Sequence, residues 1–240
     1  MELILPRESR YWRGIHEPEV QDAISSATRL GGVLYDVGAH LGSISLGAAR
    51  LVGESGRVVA FDGDPENVER LRKNTSRNRM EKRLQVVHAA IWSSIARPDI
   101  GFRRGRITRS EGGVEIDGIR PVLGDGEITT VPTITLDGFV AAGGPLPHLI
   151  KIDVEGGEYE VLRGGGELLR NHRPLLIVEV HHPRAAEQIA AWLKDCNYTL
   201  HWKIEDYPRR LFAWPMEYDG AAWIRESTAI ENQRVNNLKH

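Results

Sequence analysis

"VLYDVGAHLGSISLGAARLV", residues 33–52, passes from an apolar run through a glycine loop into a second apolar segment that stops at Gly53. Val33–Tyr35 reads as a strand ending near Asp36, and Ile44, Leu46, Ala48, Ala49 and Leu51 read as a helix. Between them Gly38 and Gly42 leave backbone bare beside a helix N-terminus, a place where a nucleotide-like ligand can approach main-chain amides. A nicotinamide fingerprint needs glycines at i, i+2 and i+5, but counting from Gly38 those later positions hold His40 and Ser43. No Gly-Lys-Ser/Thr follows, so the loop is not a phosphate-cradling P-loop either.

Working outward, "RVVAF" (57–61) is a second strand with Asp62 at its end, and "DPENVERLRKNTSRN" starts a helix with Asp64 as N-cap and Pro65 at its first position. "LQVVHAAIW" (84–92) reads as a third strand, so strand and helix alternate in the pattern of a parallel sheet. From Ser93 to Thr135 the helical period disappears and glycines recur, which predicts an inserted β-rich arm of hairpins. The α/β rhythm returns with "HLIKIDVEGGE", "LLIVEVHH" and a helix opened by Pro183. "TLHWKIED" and "AAWIRE" read as antiparallel closing strands. The expected fold is α/β: a doubly wound, mostly parallel sheet, with a β-hairpin insertion between strands 3 and 4. Residues 1–240 are expected to form a single domain, with 93–135 as its arm.

Composition narrows the function. A net charge of −2 gives no global attraction to nucleic acid or anionic membrane. Cys196 is the only cysteine, which leaves no intramolecular disulfide and no cysteine-based zinc site. No segment reaches the roughly 18 apolar residues of a membrane span, and "MELILPRESRYWRG" lacks the apolar core of a signal peptide. The expected location is the cytoplasm.

S-adenosylmethionine fits the opening loop better than a phosphate ligand, because it carries an ammonium and a sulfonium that Asp36 can face. Amides near Gly38 and Gly42 can meet its carboxylate and ribose. Asp62, read as a solvated strand-end carboxylate, can accept both ribose hydroxyls. With these pieces in place, the chain resembles the FkbM-type S-adenosylmethionine-dependent methyltransferases, a family of the Rossmann-like class. The resemblance rests on "GIHEPEV", "YDVGAHLGSISLGAA", "GRVVAFDGDPENVERLRKN", "VVHAAIWS", "TITLDGF" and, most specifically, "LIKIDVEGGEYEVLRG". It departs from the family at His40, where Asn is usual, and at "FDGDP", which replaces "FEPxP".

The resemblance implies methyl transfer to a hydroxyl, often of a sugar or secondary metabolite. It makes Asp36, Gly38, His40, Gly42, Ser43, Asp62, Ala90 and Asp153 the expected cofactor residues. Ligands of open α/β sheets sit beyond the carboxyl ends of the strands. That edge gathers Asp153, Glu155, Glu179 and His181 as candidate catalytic groups. Glu179 and His181 share a face, so His181 can serve as base with Glu179 orienting its ring. Asp153, Glu179 and His181 are also the donors that magnesium or manganese would take, although no spacing here demands a metal. In the arm, Arg103, Arg104 and Arg106 belong to a charge run that is either a solvated face or a grip on an anionic acceptor. Two other functions fit the same sequence: an RNA methyltransferase, and a protein that binds the cofactor without turnover.

Overall fold

The computed structural model describes residues 17–94, 99–104, 112–114, 128–203, 208–220 and 223, with the backbone alone for 99–104, 112–114, 128 and 129. In chain order the elements are α1 (Pro18–Ala27), β1 (Val33–Val37), α2 (Ser43–Leu51), β2 (Arg57–Asp62), α3 (Pro65–Arg77), β3 (Leu84–His88), β4 (Ala90–Ile91), β5 (Asp99–Arg104), β6 (Gly112–Val114) and β7 (Ile128–Ile134). There follow α4 (Leu136–Ala141), β8 (Leu149–Ile152), α5 (Glu158–Arg163), α6 (Gly166–Asn171), β9 (Leu175–Val180), α7 (Pro183–Asp195), β10 (Tyr198–Lys203) and β11 (Arg209–Pro215). Among the described residues no helix is long and apolar enough to cross a membrane.

Seven strands form one sheet in the order β10-β11-β9-β8-β1-β2-β3. The five from β9 to β3 pair in parallel, and β11 and β10 close the edge antiparallel. Both faces are covered, so the inner strands are apolar on both sides. Tyr35, Val37, Ile150, Ile152, Leu176 and Val178 join one core. Leu34, Val58, Leu149, Ile177 and Phe212 join the other, with Val20, Ala23 and Ile24 of α1 packed on it. The strand order reverses between β1 and β8, which makes the crevice at their carboxyl ends the topological switch point.

Two expectations change. The stretch 84–92 is two strands: β3 pairs with β2, whereas β4 leaves the main sheet and pairs with β7. Trp92 then donates its N–H to Ile134 O at 2.9 Å, so the chain is already committed to the second sheet. That sheet, β4-β7-β5-β6, is the arm, and its root is core: Val131 and Thr133 of β7 are buried. The last change is in the closing strands. The second is "RRLFAWP", and Trp223, the one described residue of "AAWIRE", is helical. Trp223 sits edge-on to Phe212 and Trp214 and donates its indole N–H to Ala23 O at 2.9 Å, so its aromatic bulk seals a core instead of extending the sheet.

Candidate active site

The glycine loop between β1 and α2 is bound tightly to the rest of the molecule. Gly38 has φ +79°, and a Cβ there would lie 1.7 Å from Asp153 O, so only glycine lets the loop press against the chain leaving β8. The amides of Gly38 and Ala39 both donate to Phe61 O, at 2.9 and 3.0 Å. The Gly38 amide is therefore already engaged, as is that of Gly42, which donates to Ala39 O at 2.8 Å; Gly42 (φ +84°) begins α2 without any side-chain cap. Ser43 follows it, half-buried, as the first helical residue.

Asp36 is fully buried, with partners inside the protein. Its Oδ2 accepts from the Ser45 hydroxyl at 2.5 Å and its Oδ1 lies 3.5 Å from Lys151 Nζ. Asp62 is likewise buried, not solvated as its place at a strand end suggests. It accepts the N–H of His40 at 2.7 Å and of Asp64 at 2.9 Å, and so ties the end of β2 to the glycine loop. Burial pushes its carboxyl up to about 7 against the pull of those amides. Ala90, half-buried on β4, lies 3.6 Å from where a Cβ on Gly63 would stand, beside the same strand end. His40 is held by its backbone in the left-handed region, φ +51°.

Lys151 was not anticipated from sequence. Its side chain is 6% exposed, and its ammonium reaches Asp36, Gly38 O at 3.3 Å and Asp153 Oδ2 at 3.3 Å. Burial alone would favour the neutral amine, but Asp153 and Asp36 outweigh it and raise the ammonium well above the usual lysine range. From there a row of charge crosses the sheet edge. Lys151 stands opposite Asp36 in register, Glu179 opposite Arg210, and Arg210 opposite Lys203. Arg210 reaches Glu179 at 3.3 Å and Glu19 of α1 at 2.8 Å, and Lys203 meets Glu19 at 3.2 Å. Glu17, which caps α1 with φ +47°, overlooks this row, and burial lifts its carboxyl to about 7 despite Lys151.

At the centre of the row lies His181, immediately after β9. Its Nε2 is 3.3 Å from Glu155 Oε2, 3.7 Å from Asp153 Oδ1 and 3.9 Å from Glu179 Oε1. The four candidate catalytic residues do converge. The ring's hydrogen bond, however, goes to a fifth group: Nδ1 lies 2.8 Å from Oε1 of Glu158, and Glu158, not Glu179, holds it. Burial would lower the imidazole's pKa, but the Glu158 bond and the carboxylates of Glu155 and Asp153 overcome it and raise the ring to about 9. One ligand atom each from Asp153, Glu179 and His181 lies within 4.8 Å of the others, a spacing a divalent cation can bridge. His182 does structural work, capping α7 through Nδ1 and the N–H of Arg184 at 3.2 Å. Arg103 and Arg104 fall on β5, opposite Gly113 and Gly112, and Arg106 lies outside the described residues.

Comparison with known proteins gives this geometry a context. A family model described as the methyltransferase FkbM domain matches residues 36–200. The hexuronic acid methyltransferase AglP of Haloferax volcanii is 31% identical over 150 residues, which cover 62% of this chain and 56% of that relative. The chain thus spans little more than half of that protein's length. A probable cobalt-precorrin-6B C(15)-methyltransferase from Pyrobaculum aerophilum is 41% identical over 70 residues, 28% of this chain and 36% of that one. Among solved structures, an FkbM methyltransferase from Methylobacillus flagellatus superposes with a TM-score of 0.54 at 13% identity, covering 87% of this chain and 59% of its own. A methyltransferase from Geobacter sulfurreducens gives 0.52 at 17% identity, covering 88% and 86%. At such identities the structural likeness speaks to the fold, the Rossmann-like methyltransferase architecture.

Proposed function

The chain belongs to the FkbM methyltransferase family, and from that premise we propose that it is an S-adenosylmethionine-dependent O-methyltransferase acting on a hydroxyl of a sugar or similar small molecule. The observation that carries this reading is the convergence of Asp153, Glu155, Glu179 and His181 at the carboxyl edge of the sheet, next to the switch point. The residues fit the cofactor. The first turn of α2, from Ser43 onward and without a side-chain cap, offers main-chain donors to a carboxylate. Asp62 Oδ2, which among the described residues accepts only from the His40 amide, retains a lone pair for a ribose. The acid-rich edge suits a cationic ligand. Asp36 supports the loop from beneath through Lys151 and Ser45.

S-adenosylmethionine supplies an electrophilic methyl group when bound. The protein's part is to align the acceptor oxygen and to remove its proton, worth about 10²–10⁴-fold for a well-placed base. His181 Nε2 is the atom we assign to that proton. Glu155, the most exposed of the surrounding carboxylates at 35%, is the route by which the ring's own proton leaves toward water. A second reading is favoured by one observation, the 4.8 Å cluster of Asp153, Glu179 and His181. Those residues would hold magnesium or manganese, which would acidify the acceptor hydroxyl directly. The other oxygens of Asp153 and Glu179 are engaged by Lys151 and Arg210, so each carboxylate would offer one.

The test begins with calorimetric titration of S-adenosylmethionine, its demethylated product and NAD. The first two should bind and NAD should not. At about 100 times its dissociation constant the cofactor should add about 2.7 kcal/mol of stability. Labelled methyl transfer is then followed to free hexuronic acids, neutral glycosides and RNA, with and without EDTA. Absence of cofactor binding would end the proposal. Transfer to RNA alone would replace the acceptor class, and loss of transfer in EDTA, restored by magnesium, would select the metal reading.

A further inference from the structure

We propose that Glu158 is the positioning residue of this site: it holds the His181 imidazole with Nδ1 protonated, so that Nε2 is the nitrogen presented to the acceptor. The proposal rests on reading His181 as the proton acceptor, and it explains the "DVEGGE" spacing (153–158), which the assignment of Asp153 and Glu155 leaves unaccounted for. After β8 the chain turns through two residues with positive φ, Glu155 at +55° and Gly156 at +112°. Gly157 then caps α5, and Glu158 is its first residue. This turn points the Glu158 side chain back on its own loop. There Oε1 accepts the N–H of Gly156 at 2.8 Å and meets His181 Nδ1 at 2.8 Å.

Three features separate Glu158 from the other carboxylates around the ring. It is completely buried, whereas Asp153, Glu155 and Glu179 keep 19, 35 and 17% of their side chains exposed. It alone stands at Nδ1, while the other three gather at Nε2. Asp153 and Glu179 have cations of their own in Lys151 and Arg210, but among the described residues Glu158 Oε2 is buried without a hydrogen-bond partner.

An ionised carboxylate can only accept, so the nitrogen facing it carries the hydrogen. When the ring is neutral, the lone pair is then on Nε2, on the side of Glu155 and the open end of the site. Fixing one ring nitrogen sets the chemistry of the other. Without Glu158 the imidazole is free to turn over or to place its hydrogen on Nε2, where it can no longer take a proton.

The test needs no acceptor. Full-length protein carrying ¹⁵N-histidine is recorded at a pH where the ring is neutral, and His181 is assigned by its loss in His181→Asn. The parent should show the Nδ1-protonated form. Glu158→Gln, whose amide oxygen still accepts, should retain it, and Glu158→Leu should shift the ring toward Nε2–H. An Nε2-protonated parent, or a Glu158→Leu spectrum like the parent's, would overturn the assignment. Glu158→Gln keeps the test open if the leucine variant does not fold: a glutamine spectrum unlike the parent's then counts against the proposal. Wherever a hexuronic acid or glycoside is methylated, Glu158→Leu should lower kcat on the order of 10²-fold, leave cofactor affinity unchanged, and have no further effect in a His181→Ala background. Full additivity there would reduce Glu158 to a structural role. Failure of cofactor binding in the parent would instead count against the proposed function and leave the ring spectrum to judge Glu158.

Discussion

The carboxyl edge of the sheet has two halves that use similar residues for opposite ends. Around β1 and β2, Asp36 and Asp62 are buried, and their oxygens are taken up by Ser45, Lys151 and the amides of His40 and Asp64. Around β8 and β9, Asp153, Glu155 and Glu179 remain partly exposed around a single imidazole. A buried carboxylate tied to both strand and loop fixes the loop, because removing a partner leaves it stranded in a poor dielectric. A carboxylate that shares one histidine with two others and stays partly exposed remains within reach of solvent. In the proposed function the first half holds the cofactor loop in place and the second serves proton removal, and Lys151 joins them by reaching Asp36 on one side and Asp153 on the other.

The sharpest way to break this comparison is Lys151→Met. It would leave Asp36 buried without its cation and strip Asp153 of a partner, a change of the kind that costs about 3–5 kcal/mol. Urea denaturation should show that loss, and adding Asp36→Asn should recover part of it, since the pair is coupled. A Lys151→Met protein within about 1 kcal/mol of the parent would show that the scaffold half does not depend on its buried charges.

On the other side of the comparison, His181→Asn should act chiefly on turnover, lowering kcat by about 10²–10⁴-fold with cofactor affinity near that of the parent. Stability should fall too, by about 1–3 kcal/mol, because buried Glu158 loses its donor. Steady-state kinetics beside calorimetry separates the two effects. Unchanged kcat with a large loss of stability would place His181 in the scaffold.

How much of this was legible depended on where each signal lay. The glycine loop, the strand-end acids and the pair Glu179 and His181 announce themselves locally, because strand ends in a parallel sheet share one edge. Lys151 did not, although "LIKI" is informative in hindsight: a lone cation within a strand whose four residues are all buried needs internal partners. Glu158 reads as an ordinary first-turn helix acid, and only the turn through Gly156 reveals its direction. The Glu19–Arg210 contact spans 191 residues, beyond any local pattern. The break between β3 and β4 had no glycine or proline to mark it, and register with β7 decided it. "AAWIRE" and "RRLFAWP" carry similar strand-like composition, so tertiary packing of Trp223 made the choice.

A smaller effect tests whether Asp62 belongs with the scaffold. Its carboxyl is raised from an ordinary 3.8 to about 7 by burial. Between those values the folded state binds the proton that the unfolded chain releases. The sign follows from linkage: stability falls as pH rises through that window, and the contribution is fully lost above about 7. Asp62→Asn should therefore be free of this fall, gaining on the parent as the pH is raised from 4 to 8 in melts at about one-unit steps. Its amide oxygen can still accept from His40 or Asp64, so the fold should persist. A constant difference between the two proteins across the window would mean that Asp62 is ionised throughout, as the solvated carboxylate expected from sequence would be.

The smallest expected change in stability is in the arm, where the comparison can be extended. Its root is scaffold, since Val131 and Thr133 are buried and Ala90 and Ile91 pair with Thr133 and Ile134. Further out, β5 is hydrogen-bonded to β7 and β6 and carries Arg103 and Arg104, with Arg106 just beyond. If the outer arm serves the acceptor and the root serves the fold, replacing Arg103, Arg104 and Arg106 together with Ala should move stability by less than about 0.5 kcal/mol. Arginine recognises carboxylate and phosphate through paired hydrogen bonds, so the same variant should raise KM for a hexuronic acid more than for a neutral glycoside. Cofactor affinity should remain unchanged. Kinetics on the two acceptors, with a cofactor titration in parallel, decides the matter. Equal increases for both would indicate an arm that shapes access without reading charge, and no increase for either would leave these arginines as a solvated face.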